Sequence, residues 1–230
     1  MLNRQIHEFH LKNLLRDIIN DSKLSSSLAL KGGTCLYLFY NLDRFSVDLD
    51  FDLLGDQKKF DSSILDQIFT KNLQIKDFHE KKWTHFWLLS YEHQKPNIKI
   101  EVNKRHYDNH YEPKQFYGMS IMTLDQASLF AHKLCAITDR RQIVNRDLYD
   151  AWFMFNKQFP IREQIIQARM NQSLASYLQT LLDLIPKKVY SARILQGLGE
   201  LLNDNRKRWV KEKLLTELQF QLKLKLESLK

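Results

Sequence analysis

The chain has 230 residues, 43% hydrophobic and 12% aromatic, enough apolar material for one sizeable core or for a core with a smaller helical partner domain. Residues 1–21 are charged throughout and hold no long apolar run, so neither a signal peptide nor a membrane-spanning segment is expected, and the expected compartment is the cytoplasm. The net charge of +8 is uneven: between residues 187 and 230, eleven Lys and Arg face five Asp and Glu, a region that either attracts a phosphate backbone or makes solvated helix faces.

Six Gly and four Pro, no repeat and no Ser/Gly-rich linker mean that any domain boundary falls between packed elements. Residues 2–20 carry Ile6, Phe9, Leu14, Ile18 and Ile19 near helical spacing, and residues 25–30 lead into Gly32-Gly33. A short helix is predicted over 34–41, a half-buried strand over 46–54 and a helical segment over 57–73. Strands follow at 83–91, at 97–103 and at 115–122. From residue 123 the periods become helical, over 124–139, 146–156, 173–185 and on to 230. The expected class is therefore α+β: a mixed sheet flanked by helices in residues 1–122, then an all-helical region, 123–230, with a basic tail. Cys35 and Cys135 lie in apolar helical patterns, where reduced buried thiols are expected.

Along Ser46-Val47-Asp48-Leu49-Asp50-Phe51-Asp52-Leu53 successive side chains alternate faces. Val47, Leu49, Phe51 and Leu53 belong to the core, and Asp48, Asp50 and Asp52 share the other face. Three acids there repel one another unless cations intervene, which points to a divalent metal. Carboxylate oxygens suit Mg²⁺, and two such ions roughly 4 Å apart could polarise an attacking hydroxyl and stabilise a leaving pyrophosphate. By the same alternation in residues 98–102, Glu101 faces away from Ile98, Ile100 and Val102; it ranks above Asp52 as a third ligand because it approaches from a neighbouring strand. Gly32-Gly33 before a helix lets the backbone come close to a ligand, and the helix amides starting near Thr34 suit a triphosphate. His106 and His110 lack a third ligand at a recognisable spacing and read as a surface loop, while Trp83, Phe86, Trp87 and Tyr91 read as a strand burying one face.

Lys31-Gly32-Gly33-Thr34-x-Leu36 followed by Arg44-Phe45-Ser46-Val47-Asp48-Leu49-Asp50-Phe51 resembles the first motif of the AbiEii/AbiGii toxin family, within the polymerase-beta-like nucleotidyltransferases. Lys133 and then Arg146-Asp147-Leu148-Tyr149-Asp150 look like that family's later lysine and its Arg-Asp-x-x-Asp motif. The resemblance covers residues 25–155; the helices beyond match in character only. It implies the enzyme of a toxin–antitoxin or phage-defence pair, transferring a nucleotide from a nucleoside triphosphate to an acceptor, in some members the acceptor end of tRNA, with a cognate antitoxin as partner. Carried over, it makes Asp48 and Asp50 metal ligands, with Gly32, Gly33, Thr34 and Ser46 around the triphosphate and Lys133 on a phosphate. Asp147 either orients Lys133 or touches the nucleotide. Arg44 either meets phosphate or offsets local negative charge, and a structural ion pair between Arg146 and Asp150 is expected. Thr34 stands where many polymerase-beta-like enzymes have serine, and Glu101 where aspartate is common. The alternatives are transfer of a nucleotide or phosphate to a protein hydroxyl, and a catalytically silent nucleic-acid- or partner-binding module.

Overall fold

The structure is a computed structural model, described for residues 3–91 and 97–229. The described residues divide into two compact units, one of residues 3–41, 45–91, 97–106 and 110–124, the other of residues 42–44, 107–109 and 125–229.

The first unit runs α1 (Arg4–Asn20), α2 (Ser22–Ser27), β1 (Leu28–Lys31), α3 (Gly32–Phe39), β2 (Leu49–Leu53), a 3-10 turn (Gln57–Lys59), α4 (Ser63–Phe69), β3 (Gln74–Lys81), β4 (Thr84–Ser90), β5 (Ile98–Asn103), β6 (Tyr111–Phe116) and β7 (Met119–Leu124). The strands form one mixed sheet ordered β3-β4-β5-β2-β1-β7-β6. β2 lies in the middle, antiparallel to β1 and parallel to β5, so its residues have ladder neighbours on both sides. Ile98, Ile100 and Val102 are buried and alternate with partly exposed Lys99, Glu101 and Asn103, the period-2 pattern anticipated from sequence. In β4, Trp87 and Leu89 are buried, whereas Trp83 precedes the strand, 40% exposed, beneath the Lys82 ammonium.

Three segments differ from expectation for local reasons. Residues 57–73 are not one helix: Asp56 caps the short 3-10 turn by accepting from the Lys58 amide, and Asp61 accepts from the Ser63 amide at the start of α4. β3 was not anticipated because it is an edge strand whose side chains are nearly all exposed, leaving no hydrophobic alternation to read. The expected strand at 115–122 is instead the tip of a hairpin, β6 and β7 turning at Tyr117 and Gly118, both at positive φ (49° and 81°).

The second unit contains α5 (Gln126–Asp139), α6 (Asn145–Asn156), α7 (Glu163–Met170), α8 (Leu174–Lys188), 3-10 turns at Ser191–Arg193 and Gly199–Leu201, and α9 (Asp204–Glu227). Side-chain caps start α5, α8 and α9: Asp125 accepts from the Ser128 amide, Ser173 from Ser176 and Asn203 from Arg206. The basic tail resolves into α9, where Val210, Leu214, Leu218 and Leu222 make one buried stripe at a spacing of four. α7 escaped the sequence reading because only Ile165 and Ile166 are buried in it. Cys35 and Cys135 are free and buried, and burial pushes the Cys135 thiol up to about 12. Among the described residues, no helix is long and apolar enough to cross a membrane.

Candidate active site

Asp48, just before the central strand, and Asp50 and Asp52 within it meet different fates. Asp52 is 1% exposed and surrounded by donors: Lys31 Nζ at 2.5 Å and Asn103 Nδ2 at 2.8 Å on one oxygen, Tyr111 Oη at 3.2 Å on the other. Its negative charge is met by these donors within the sheet. Asp48 and Asp50 are half-exposed. Register places Glu101 directly beside Asp50 and Asn103 beside Asp52, so Glu101 extends the acidic face from β5.

Lys99 was missed in the sequence reading. It shares the Glu101 face by the same alternation, and its Nζ lies 3.3 Å from Glu101 Oε1 and 3.9 Å from Asp48 Oδ2. Burial alone would lower its pKa, but the charges of Asp50, Asp48 and Glu101 hold it above the usual lysine value. The ammonium thus stands among the acids. Among the described residues, no group of three or more His, Cys, Asp or Glu is arranged as a ready metal site.

Strand pairing begins only at Leu49, later than expected, because side chains hold the chain before it. The fully buried Thr34 hydroxyl donates to the Asp48 carbonyl and lies 2.9 Å from the Ser46 hydroxyl. His7 Nε2 lies 2.9 Å from the Val47 carbonyl, and its Nδ1 lies 3.1 Å from Tyr91 Oη. Donation from Nε2 to the carbonyl leaves Nδ1 to accept from the tyrosine, a neutral tautomer that fits the burial-lowered pKa of His7. Thr34 and Ser46, expected around a triphosphate, are therefore also the pins that fix where Asp48 starts.

The glycine turn and the acidic strand meet directly. Gly32 has φ +73°, and a Cβ built on it would lie 2.5 Å from Asp50 Oδ2. Only glycine permits both the backbone conformation and that approach. α3, starting at Gly32, has no side-chain cap on its first turn, so its leading amides remain available to an anion.

In the helical unit Asp150, expected to pair with Arg146 four positions away, is held by Arg44 and Lys133, both distant in sequence. Arg44 grips it bidentately, Nε to Oδ1 at 2.5 Å and Nη2 to Oδ2 at 2.6 Å, with Arg44 2% and Asp150 0% exposed. Lys133 Nζ stands 2.7 Å from Asp150 Oδ2 and 3.1 Å from Asp147 Oδ1, and Arg140 Nε 3.1 Å from Asp147 Oδ2. Arg44, Lys133 and Arg140 thus converge on the two carboxylates. Asp147 is thus paired with Lys133, and Arg44 with Asp150. The neighbouring Asp43 accepts from Tyr149 Oη at 2.5 Å and pairs with Arg206.

Burial alone would raise the Asp150 pKa, but Arg44 and Lys133 bring it down to about 2 from the ordinary 3.8. A carboxylate whose folded pKa is depressed contributes stability that is complete above its unfolded value and fades as pH falls from about 4 through about 2. Acid titration of wild type is expected to lose roughly 2 kcal/mol of stability across that window from this residue. Replacing Asp150 with Asn should flatten that part of the profile, and an unchanged profile by denaturant unfolding would contradict the pairing.

A mixed sheet that presents two carboxylates at the start of a central strand, with a glycine turn closed against one of them and an uncapped helix beyond, defines a nucleotidyltransferase core. The profile of the nucleotidyl transferase AbiEii toxin, type IV toxin–antitoxin system, matches residues 13–221, and the chain belongs to that family. It is a nucleotidyltransferase of the toxin type. JHP933 from Helicobacter pylori is similar in structure, with a TM-score of 0.62, 23% sequence identity and coverage of 100% of this chain and 95% of that one. An antigenic nucleotidyltransferase-like protein from Paracoccidioides brasiliensis is similar at a TM-score of 0.50 and 14% identity, over 82% of this chain and 92% of that one. At these identities the two structures establish the fold. Comparison with curated proteins finds no match.

Proposed function

We propose that the chain transfers a nucleoside monophosphate from a nucleoside triphosphate to an RNA acceptor, with tRNA the first candidate, in a reaction that requires a divalent cation. It would act in the cytoplasm and be countered by a cognate antitoxin, the partner that a toxin–antitoxin family implies. The observation that carries the reading is the contact of Gly32 with the Asp50 carboxylate, which joins the helix start for an anion and the acidic strand into one construction. Asp48, Asp50 and Glu101 fit Mg²⁺: every donor is a carboxylate oxygen, all lie on one face, and that face already draws the Lys99 ammonium to offset its charge. Bound with the triphosphate, Mg²⁺ would neutralise charge developing on the transferred phosphate and on the departing pyrophosphate.

The chain's own residues then divide the work. The Gly33 and Thr34 amides at the head of α3 hold the triphosphate, while the Thr34 hydroxyl and Ser46 keep Asp48 in place. Lys133 supplies positive charge to a phosphate, positioned by Asp147, and Arg44 acts by fixing Asp150 rather than by touching the nucleotide. Positioning and charge neutralisation carry most of the rate, as in phosphoryl transfer generally.

Incubating the protein with Mg²⁺, total RNA and triphosphates labelled at the α- or the γ-phosphate tests this reading. Label from the α-position should enter RNA and label from the γ-position should not. Entry of γ-label would instead mean phosphate transfer, and α-label confined to protein would overturn RNA as the acceptor.

Lys99 gives a separate expectation. Replacing it with Met removes the positive charge among Asp48, Asp50 and Glu101, so Mn²⁺ used as a probe should bind about tenfold more tightly by calorimetry. The same variant should be less stable than wild type without metal. Unchanged Mn²⁺ affinity would remove Lys99 from the site.

A further inference from the structure

The helical unit carries a second basic feature, which shares Arg140 with the Lys133 cluster. Between the end of α5, the start of α6 and the end of α8 lies a pocket of about 480 Å³, within the roughly 300–1,000 Å³ usual for ligand sites. Arg140, Arg141, Lys187, Lys188 and Arg193 line it, and no Asp or Glu does. Arg140 is committed to Asp147, but Arg141, Lys187, Lys188 and Arg193 are exposed. Surface lysines and arginines normally interleave with acids, so four exposed cations around an acid-free concavity leave a field with no internal counter-charge.

Two further features say what fits. Tyr190, at the rim, is 67% exposed, a planar ring with an open face beside the cations. The wall behind it is built firmly: Asn145 Nδ2 donates to the Arg193 carbonyl at 2.8 Å and to the Gln196 carbonyl at 3.1 Å, tying the 3-10 turn to the start of α6. The buried stripe of α9 and the solvated faces of its helix do not explain this arrangement. Cations spaced around a rigid concavity suit successive phosphates, and an exposed aromatic beside them suits an unpaired base. A folded acidic protein surface would need no stacking ring.

We infer that this pocket binds a single-stranded RNA segment, its cations on the backbone phosphates and Tyr190 stacked on a base. The inference rests on RNA being the acceptor and locates where part of that RNA is gripped. Because the grip is mainly electrostatic it is insensitive to sequence and weakens as salt rises. It raises the residence of the acceptor without taking part in the transfer.

Fluorescence anisotropy of a short fluorescein-labelled single-stranded oligouridylate with the full chain tests it. Arg141→Ala/Lys188→Ala should weaken binding and reduce the slope of log affinity against log salt by about 1.4, two lost phosphate contacts at about 0.7 each for a single strand. Tyr190→Ala should weaken binding about tenfold at fixed salt, and Tyr190→Phe, which keeps the ring, should not. All replaced side chains are exposed, and thermal unfolding at the wild-type temperature confirms that the variants fold. Variants that bind with wild-type affinity and salt slope overturn the pocket assignment, even if the α-label assay still marks RNA, in which case the functional reading stands alone. A wild-type chain that neither labels nor binds RNA overturns both. Displacement of the oligouridylate by polyglutamate as effectively as by unlabelled RNA overturns the assignment to nucleic acid.

Discussion

Gly32→Ala is expected to cost at least about a hundredfold in nucleotide transfer while leaving a folded protein. The backbone at Gly32 has φ +73°, a conformation that costs an L-residue about 1–2 kcal/mol. Strain is the smaller part. The added Cβ would come within 2.5 Å of Asp50 Oδ2, and its other near atoms, at 3.2 Å, are Asp50 Cβ and Cγ. Either the glycine turn or the carboxylate must shift by a large fraction of an ångström, and a misplacement of about 1 Å at a reacting centre costs on the order of a hundredfold. Gly55→Ala is the matched control, since Gly55 has φ +75° but nothing within 4 Å of an added Cβ. It should lose about the same in backbone strain and keep its activity. Equal activity in the two variants would show that the turn and Asp50 are not coupled.

Arg44→Ala is expected to destabilise the helical unit by about 3–5 kcal/mol, a large part of the roughly 5–15 kcal/mol that holds most domains folded. The guanidinium satisfies both oxygens of a fully buried carboxylate, and truncation leaves Asp150 facing Lys133 alone. Lysine at position 44 would keep the charge but not the paired geometry, so Arg44→Lys should fall between wild type and alanine. Replacing both partners, Arg44→Met with Asp150→Leu, should cost less than Arg44→Ala, because no charge is then left buried without a partner. Denaturant unfolding measures all four chains. A loss below about 1 kcal/mol for Arg44→Ala would mean that the pair is as weak as an exposed one.

What could be read from sequence was whatever left a periodic mark or a strict steric demand. Ile98, Ile100 and Val102 alternate with Lys99, Glu101 and Asn103, so both the strand and the face of Glu101 were legible. Gly32-Gly33 before a helix signalled an approach to a ligand; the close neighbour that the structure shows at Gly32 is the Asp50 side chain. The start of the acidic strand was misread by three residues, because Val47 and Asp48 continue the alternation while their carbonyls are taken by His7 and Thr34 from other elements. Lys99 obeys the same alternation as Glu101 and could have been found by listing every polar residue on that face. The partner of Asp150 was beyond such reasoning: Arg44 lies 106 positions away, and nothing periodic links the two. β3 was invisible for the opposite reason, since an exposed edge strand has no buried face to print a pattern.

The cysteines and the basic tail illustrate the remaining difference between composition and placement. Cys35 and Cys135 sit where apolar periodicity put them, buried and unpaired with each other. The excess of Lys and Arg after residue 186, by contrast, could not be assigned to a surface from sequence. Part of it decorates the solvated sides of α9, and part gathers with Arg140 and Arg141 around the α8 pocket.

The most direct measurement of the central claim is transfer of α-phosphate label to cellular RNA by wild type and by an Asp48→Ala/Asp50→Ala variant whose thermal unfolding confirms that it is folded. Wild type should label RNA in a Mg²⁺-dependent reaction, and the variant should lose about a thousandfold or more. Labelling by the folded variant at the wild-type rate would contradict that claim.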